Sequence, residues 1–135
     1  MTPPSTLQDE AKRIMREHRW EDALPILLED IEANPRDPWS PMYLGSCYYE
    51  LQDYQAALDW FRRAEQLEPE NPTPIGLQGD ALHCLGDADE ARELYLRALE
   101  VAPDDELAIK NWKRFNQIEQ KAEQTGRGND DKPSI

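Results

Sequence analysis

The side chains able to bind a metal or act as a nucleophile are few and scattered: His18, His83, Cys47 and Cys84. His83 and Cys84 are adjacent, but neighbouring residues on a helix point about 100° apart and make a poor chelating pair. His83 is therefore expected to pack rather than to ligate. No Walker loop, G-x-S-x-G elbow, H-E-x-x-H helix or zinc spacing occurs. The 28 Asp and Glu residues fall mostly at turns and on outward helical positions, where they read as a solvated face rather than as paired catalytic acids. These residue types predict no metal, no cofactor and no catalytic centre, and the chain is expected not to be an enzyme.

The charge narrows the classes further. A formal net charge of -13 argues against nucleic acid as a partner, because phosphate binding draws its affinity from a basic surface. The acid is unevenly placed: residues 38–105 hold 14 Asp and Glu against 4 Arg, whereas residues 106–135 hold 5 acidic and 6 basic residues. Two cysteines with neither C-x-x-C spacing nor a disulfide framework suit a reducing compartment, so a cytoplasmic location is expected. The longest apolar run, Ala23 to Leu28, is interrupted by Pro25, which predicts neither a leader nor a membrane span.

The elements that position these residues emerge from an internal period. Shifting the sequence by 34 places Gly45 on Gly79, Asp53 on Asp87, Ala57 on Ala91, Phe61 on Tyr95, Ala64 on Ala98 and Pro69 on Pro103. A second shift brings Ala11 under Gly45, Ala23 under Ala57, Leu27 under Phe61 and Pro35 under Pro69. Apolar residues at three-and-four spacing make each unit two helices, with breaks at Gln52–Asp53 and Gly86–Asp87. The second unit opens between Pro38 and Pro41, the third among Asn71, Pro72, Thr73 and Pro74. Small residues let paired helices approach, so Gly45 should face Ala57 beside Phe61, and Gly79 should face Ala91 beside Tyr95. Trp60 is expected to pack under a neighbouring unit. After Pro103 a further helix carries Ala108, Ile109, Trp112, Phe115, Ile118 and Ala122 on one side, as a cap for the last apolar face. From Thr125 the composition predicts a disordered tail over 125–135.

Leu44, Gly45, Tyr48, Gly86, Ala57, Ala91, Phe61, Tyr95, Ala64, Ala98, Pro69 and Pro103 stand where the tetratricopeptide repeat family has its signature residues, so the chain resembles that family from about Pro4 to Asp105. The resemblance implies an all-α, right-handed α-solenoid of three helical hairpins at about 4–37, 38–71 and 72–105, with a capping helix at about 106–124, forming a domain over 4–124. The first unit departs most, with Asp30 where the later units have Ala64 and Ala98, and Pro25 inside its second helix. The third has Gln78 where the second has Leu44.

The resemblance also implies a role in holding another protein, with an extended peptide or a helix in the concave groove lined by the first helix of each unit. On that groove it places Lys12 and Arg16, then Trp39, Met42, Tyr43, Ser46 and Tyr49, then Leu77, Asp80 and His83, and finally Lys110 and Arg114. An aromatic centre with basic ends predicts a partner segment that is apolar with acidic flanks. Co-chaperone members grip C-terminal carboxylates with two lysines, two asparagines and an arginine; here those positions are Gln8, Lys12, Tyr43, Thr73 and Leu77, and the clamp is missing. An adaptor or assembly factor is the first functional expectation. A chaperone resembling those of type III secretion translocators, and a scaffold that associates with its own copies, are the alternatives.

Overall fold

The computed structural model describes residues 6–126, which form seven helices and no strand among the described residues. In order they are α1 Leu7–Arg16, α2 Trp20–Ala33, α3 Trp39–Glu50, α4 Tyr54–Leu67, α5 Pro72–Cys84, α6 Ala88–Val101 and α7 Glu106–Gln124. Three hairpins, α1/α2, α3/α4 and α5/α6, stack in chain order, and α7 packs against both α6 and α5. Of the tail expected from Thr125, only Thr125 and Gly126 lie among the described residues, and they close α7: the Thr125 N–H donates to the Lys121 carbonyl at 3.0 Å. The remainder lies outside the described residues.

The helix ends follow from local chemistry. Thr6 and Asp9 form a reciprocal capping box at α1, while Asp53, Asn71, Asp87 and Asp105 accept backbone N–H bonds at the starts of α4, α5, α6 and α7. At α3 the cap position is Pro38, and Asp37 supplies the acceptor instead, taking the Trp39 N–H at 2.9 Å. The uncertainty between Pro38 and Pro41 is thereby resolved in favour of the earlier start. Helix α2 runs through Pro25 without a break, since a proline near the N-terminal end removes only one hydrogen bond.

The turn inside each hairpin is the same motif three times. His18, Gln52 and Gly86 have φ of 60°, 66° and 90°. The N–H of the next residue reaches back to the helix: Arg19 to Ile14 at 3.2 Å, Asp53 to Tyr48 at 2.9 Å and Asp87 to Leu82 at 2.9 Å. This is a Schellman closure in which the left-handed residue satisfies the last carbonyls of one helix while its successor opens the next.

Inside the hairpins the small residues carry aromatic rings on their faces. A methyl added at Gly45 would lie 2.4 Å from the Phe61 ring, and one added at Gly79 would lie 2.9 Å from that of Tyr95. Phe61, Leu27, Leu44, Ile75 and Phe115 are almost fully buried, each contributing roughly 2–3 kcal/mol of apolar transfer. Trp60 packs against the cluster formed by the first hairpin and α3, as expected.

Not all of the interior is apolar. Asp30, 4% exposed, accepts from Ser40 Oγ at 2.6 Å, Asn34 Nδ2 at 3.1 Å and Gln8 Nε2 at 3.2 Å, and so joins the first hairpin to α3. Gln78 donates to Glu65 at 2.7 Å, and Arg97 closes on both oxygens of the same carboxylate at 2.8 Å. In α7 the buried residues are Ala108, Asn111, Phe115 and Glu119, while Ile118 is exposed. The apolar side expected for α7 is thus rotated: Glu119 is taken inward by His83, 2.9 Å away, and Ile118 is left facing out.

Candidate functional site

The first helices of the hairpins form a row, with α1 beside α3 and α5 beside α7, and Tyr49 Oη in α3 lies 3.3 Å from Cys84 Sγ in α5. Along α3 the open positions are Trp39, Tyr43, Ser46 and Glu50, at spacings of four, three and four. The 34-residue interval carries this stripe to Thr73, Leu77, Asp80 and Cys84 on α5, and to Asp9, Lys12 and Arg16 on α1. All of these are partly or fully exposed.

Trp39 is the most open aromatic, 46% exposed, and stacks on Tyr43 with ring centroids 6.0 Å apart. Ser46 donates to the Met42 carbonyl at 3.1 Å. Burial pushes the Tyr43 hydroxyl above its usual range, and the nearby carboxylates of Asp37 and Asp9 push it further. The Tyr43 ring therefore sits in a negative field.

Met42 does not belong to the open surface. It is 4% exposed and buried in the core that continues through the second and third hairpins. The positions 34 residues either side explain why: Gln8 is bonded to Asp30, Asp37 and Ser40, and Gly76 is covered by Asn111, whose Nδ2 would lie 3.2 Å from an added methyl. This register faces the next hairpin. Lys110 holds the same register on α7 and is exposed, beside Ile109, Lys113 and Gln117.

Tyr49 and His83, also 34 residues apart, flank the row. Tyr49 stands edge-on to Tyr54, centroids 5.3 Å apart, and its hydroxyl is held protonated by burial and by Cys84. His83 lies edge-on to Phe115 at 5.0 Å and pairs with Glu119. It docks α7, and no group of three or more His, Cys, Asp or Glu suited to a metal occurs among the described residues.

Asp80 receives the Tyr95 hydroxyl and, at 3.2 Å, Arg114 Nη2. Burial raises the Asp80 carboxyl above its ordinary range, while Tyr95, Arg114 and His83 pull it back. Arg114 also donates to Asn111 Oδ1 at 3.3 Å. Its Nη2 is thus engaged within the protein, while half of the side chain stays exposed. Lys12 and Arg16 lie close enough to Asp9 to hold its carboxyl down, after the larger effect of the Thr6 cap. They also border an open hollow of about 480 Å³ with Met15, His18 and Trp20. The basic ends expected from residue types are therefore partly neutralised, which spacing alone did not disclose.

Two tetratricopeptide repeat models match the sequence, over residues 9–72 and 48–111. The chain belongs to the tetratricopeptide repeat family. RNA polymerase II-associated protein 3 of Mus musculus is 23% identical over 122 residues, covering 90% of this chain and 18% of that protein. Intraflagellar transport protein 70A of Homo sapiens is 33% identical over 58 residues, 43% of this chain and 9% of its own length. The chain spans only about a tenth to a fifth of the length of these curated relatives. Among solved structures, the first tetratricopeptide domain of Spaghetti (RPAP3) bound to the HSP90 peptide SRMEEVD is similar, with a TM-score of 0.75 and 21% identity over 83% of this chain and 89% of that one. The Yersinia enterocolitica type III secretion chaperone SycD in complex with a peptide of the translocator YopD gives 0.78 and 16% identity over 88% and 91%. At these identities the likeness is one of fold.

Proposed function

We propose that this tetratricopeptide domain is a non-catalytic adaptor or assembly factor, acting in the cytoplasm, that holds an extended or helical segment of a partner protein along its row of first helices. The observation that carries the reading is Trp39, an indole 46% exposed yet prepositioned by its stack on Tyr43. Aromatic anchors on a rigid surface are where a few residues carry most of a binding energy, and the helices beneath hold these two without needing to move. The solved relatives that hold peptides, Spaghetti and SycD among them, support the mode of binding.

A terminal carboxylate is not the feature recognised. Of the clamp positions, Gln8 is occupied by Asp30, Asp37 and Ser40, and Tyr43, Thr73 and Leu77 offer no cation. The apolar stripe instead suits an internal segment with apolar side chains. Acidic flanks on that segment would meet Lys12, Arg16 and Lys110 among the described residues, with Arg114 already in contact with Asp80.

The test is selection of a displayed random-peptide library on the protein, followed by titration of the selected peptides against the Trp39→Ala variant. Trp39 is open enough that its truncation should leave the helical circular dichroism unchanged. Loss of binding with retained helicity supports the reading, and unchanged affinity moves the contact off this face. Tyr43→Ala and Tyr49→Ala are poorer tests, because both rings also pack against the core clusters.

A further inference from the structure

We infer that the aromatic stripe of α3 is a seat for a cationic side chain, so that the partner segment presents an Arg or Lys to the Trp39–Tyr43 stack near the carboxylates of Asp9 and Asp37. The inference rests on the groove reading above and adds the charge of what is held.

Four features place this site. Trp39 and Tyr43 form one aromatic wall with centroids 6.0 Å apart, open on the Trp39 side. Aromatic faces carry negative quadrupole charge and attract Lys and Arg, most strongly at Trp. Asp37 is fixed beside this wall because its Oδ1 accepts the Trp39 N–H at 2.9 Å and its Oδ2 accepts from Gln8 at 2.9 Å. Asp9 is fixed by the Thr6 capping box. Among the described residues the cation–π contacts are Arg63 over Trp60 and Arg92 over Phe115, both away from this wall.

Charge complementarity then selects the occupant. Glu50 continues the stripe with a further carboxylate, Arg114 is paired with Asp80, and Lys12 and Arg16, on the same stripe, act on Asp9. The whole chain is strongly acidic at -13, which steers basic segments toward it and repels acidic ones. The Tyr43 hydroxyl is pushed up first by burial and then by the Asp37 and Asp9 carboxylates, and the second of these effects has the same sign.

The probes are three labelled helical peptides with one leucine pattern, whose intervening positions are all Arg, all Gln or all Glu. They are titrated by fluorescence anisotropy against the intact chain, Trp39→Ala, the pair Asp9→Asn with Asp37→Asn, and a remote pair of equal charge change, Glu100→Gln with Asp104→Asn. Asparagine keeps the acceptor oxygens that serve the helix starts, and a melting curve for each variant confirms the fold. The Arg peptide should bind tightest and weaken about three- to tenfold with the Asp9 and Asp37 pair, as expected for the loss of one or two partly exposed charge contacts. The remote pair should have a smaller effect, and the Gln peptide should be insensitive to both pairs. Equal weakening by the two pairs would reduce the attraction to net charge and overturn the seat. If Trp39→Ala weakens all three peptides alike, the groove reading stands and the cation seat falls. If Trp39→Ala alters none of them, or none binds, both fall.

Discussion

The three hairpin turns allow a test of how far one repeat can correct another. Gln52 is held at a φ of 66°, where an L-residue costs about 1–2 kcal/mol. Gly86 occupies the equivalent place at 90°, and a methyl added there would meet nothing within 4 Å. The two turns make the same bonds, Gln52 N–H to Tyr49 at 3.0 Å and Gly86 N–H to His83 at 3.1 Å. Exchange therefore changes backbone strain and little else. Glycine gives back roughly 0.5–1 kcal/mol through the greater freedom of its unfolded chain. Gln52→Gly should then stabilise by about 0.5–1 kcal/mol, and Gly86→Ala should destabilise by about the same amount, each shifting the melting temperature by roughly 2–4 °C. Urea unfolding followed by circular dichroism and by tryptophan fluorescence reads this as a midpoint shift at constant slope. His18→Gly should be nearly neutral, because it also loses the His18–Trp20 stack at 5.4 Å, worth about 0.5–1 kcal/mol. A destabilised Gln52→Gly, or a Gly86→Ala indistinguishable from the parent, would refute the reasoning.

Gly45→Ala should destabilise by about 1–3 kcal/mol, since the added methyl meets a Phe61 ring that is 1% exposed and has no room to withdraw; the urea midpoint measures it. Asp30→Ala should cost about 1–3 kcal/mol by stranding the buried Ser40 hydroxyl donor, and the double variant with Ser40→Ala should recover part of that in a mutant cycle. Burial pushes the Cys47 thiol up to about 12, so at pH 8 a disulfide reagent should modify exposed Cys84 promptly and Cys47 only at the rate of unfolding. Burial holds the Tyr49 and Tyr95 hydroxyls above the value of 10 that a free tyrosine has, so the folded state binds more protons than the unfolded one from about pH 10 upward. Stability should accordingly be complete below that pH and fall as it rises; a flat alkaline limb in pH-dependent unfolding would contradict this.

The hairpins were legible because Gly45, Ala57, Phe61 and their counterparts each solve a packing problem that only certain side-chain sizes solve, so the 34-residue spacing survives in residue type. The open stripe was half legible. Trp39, Tyr43 and Ser46 stand on it and Met42 does not, because apolarity alone does not separate a face turned to solvent from one turned to the next hairpin. Gln8 and Gly76, neither of them a surface apolar residue, carried the information needed, since they share the register of Met42 and both are covered. Asp30, Gln78 and Glu119 were unreadable as interior residues for a different reason: each has a hydrogen-bond partner on another helix, which no local pattern reports. The same holds for Arg114, which pairs with a residue 34 positions away.

Those buried polar groups have a bearing on how such a chain can change over generations. Each junction carries its own lock: Asp30 with Ser40 and Gln8 at the first, Glu65 with Gln78 and Arg97 at the second, and Asp80 with Arg114 beside His83 with Glu119 at the cap. A repeat copied or moved by recombination would arrive with half of the wrong lock, setting the Asp30 carboxylate against Pro74 or that of Glu65 against Leu44. The hairpins look like interchangeable beads in their apolar residues, yet they are keyed to one order.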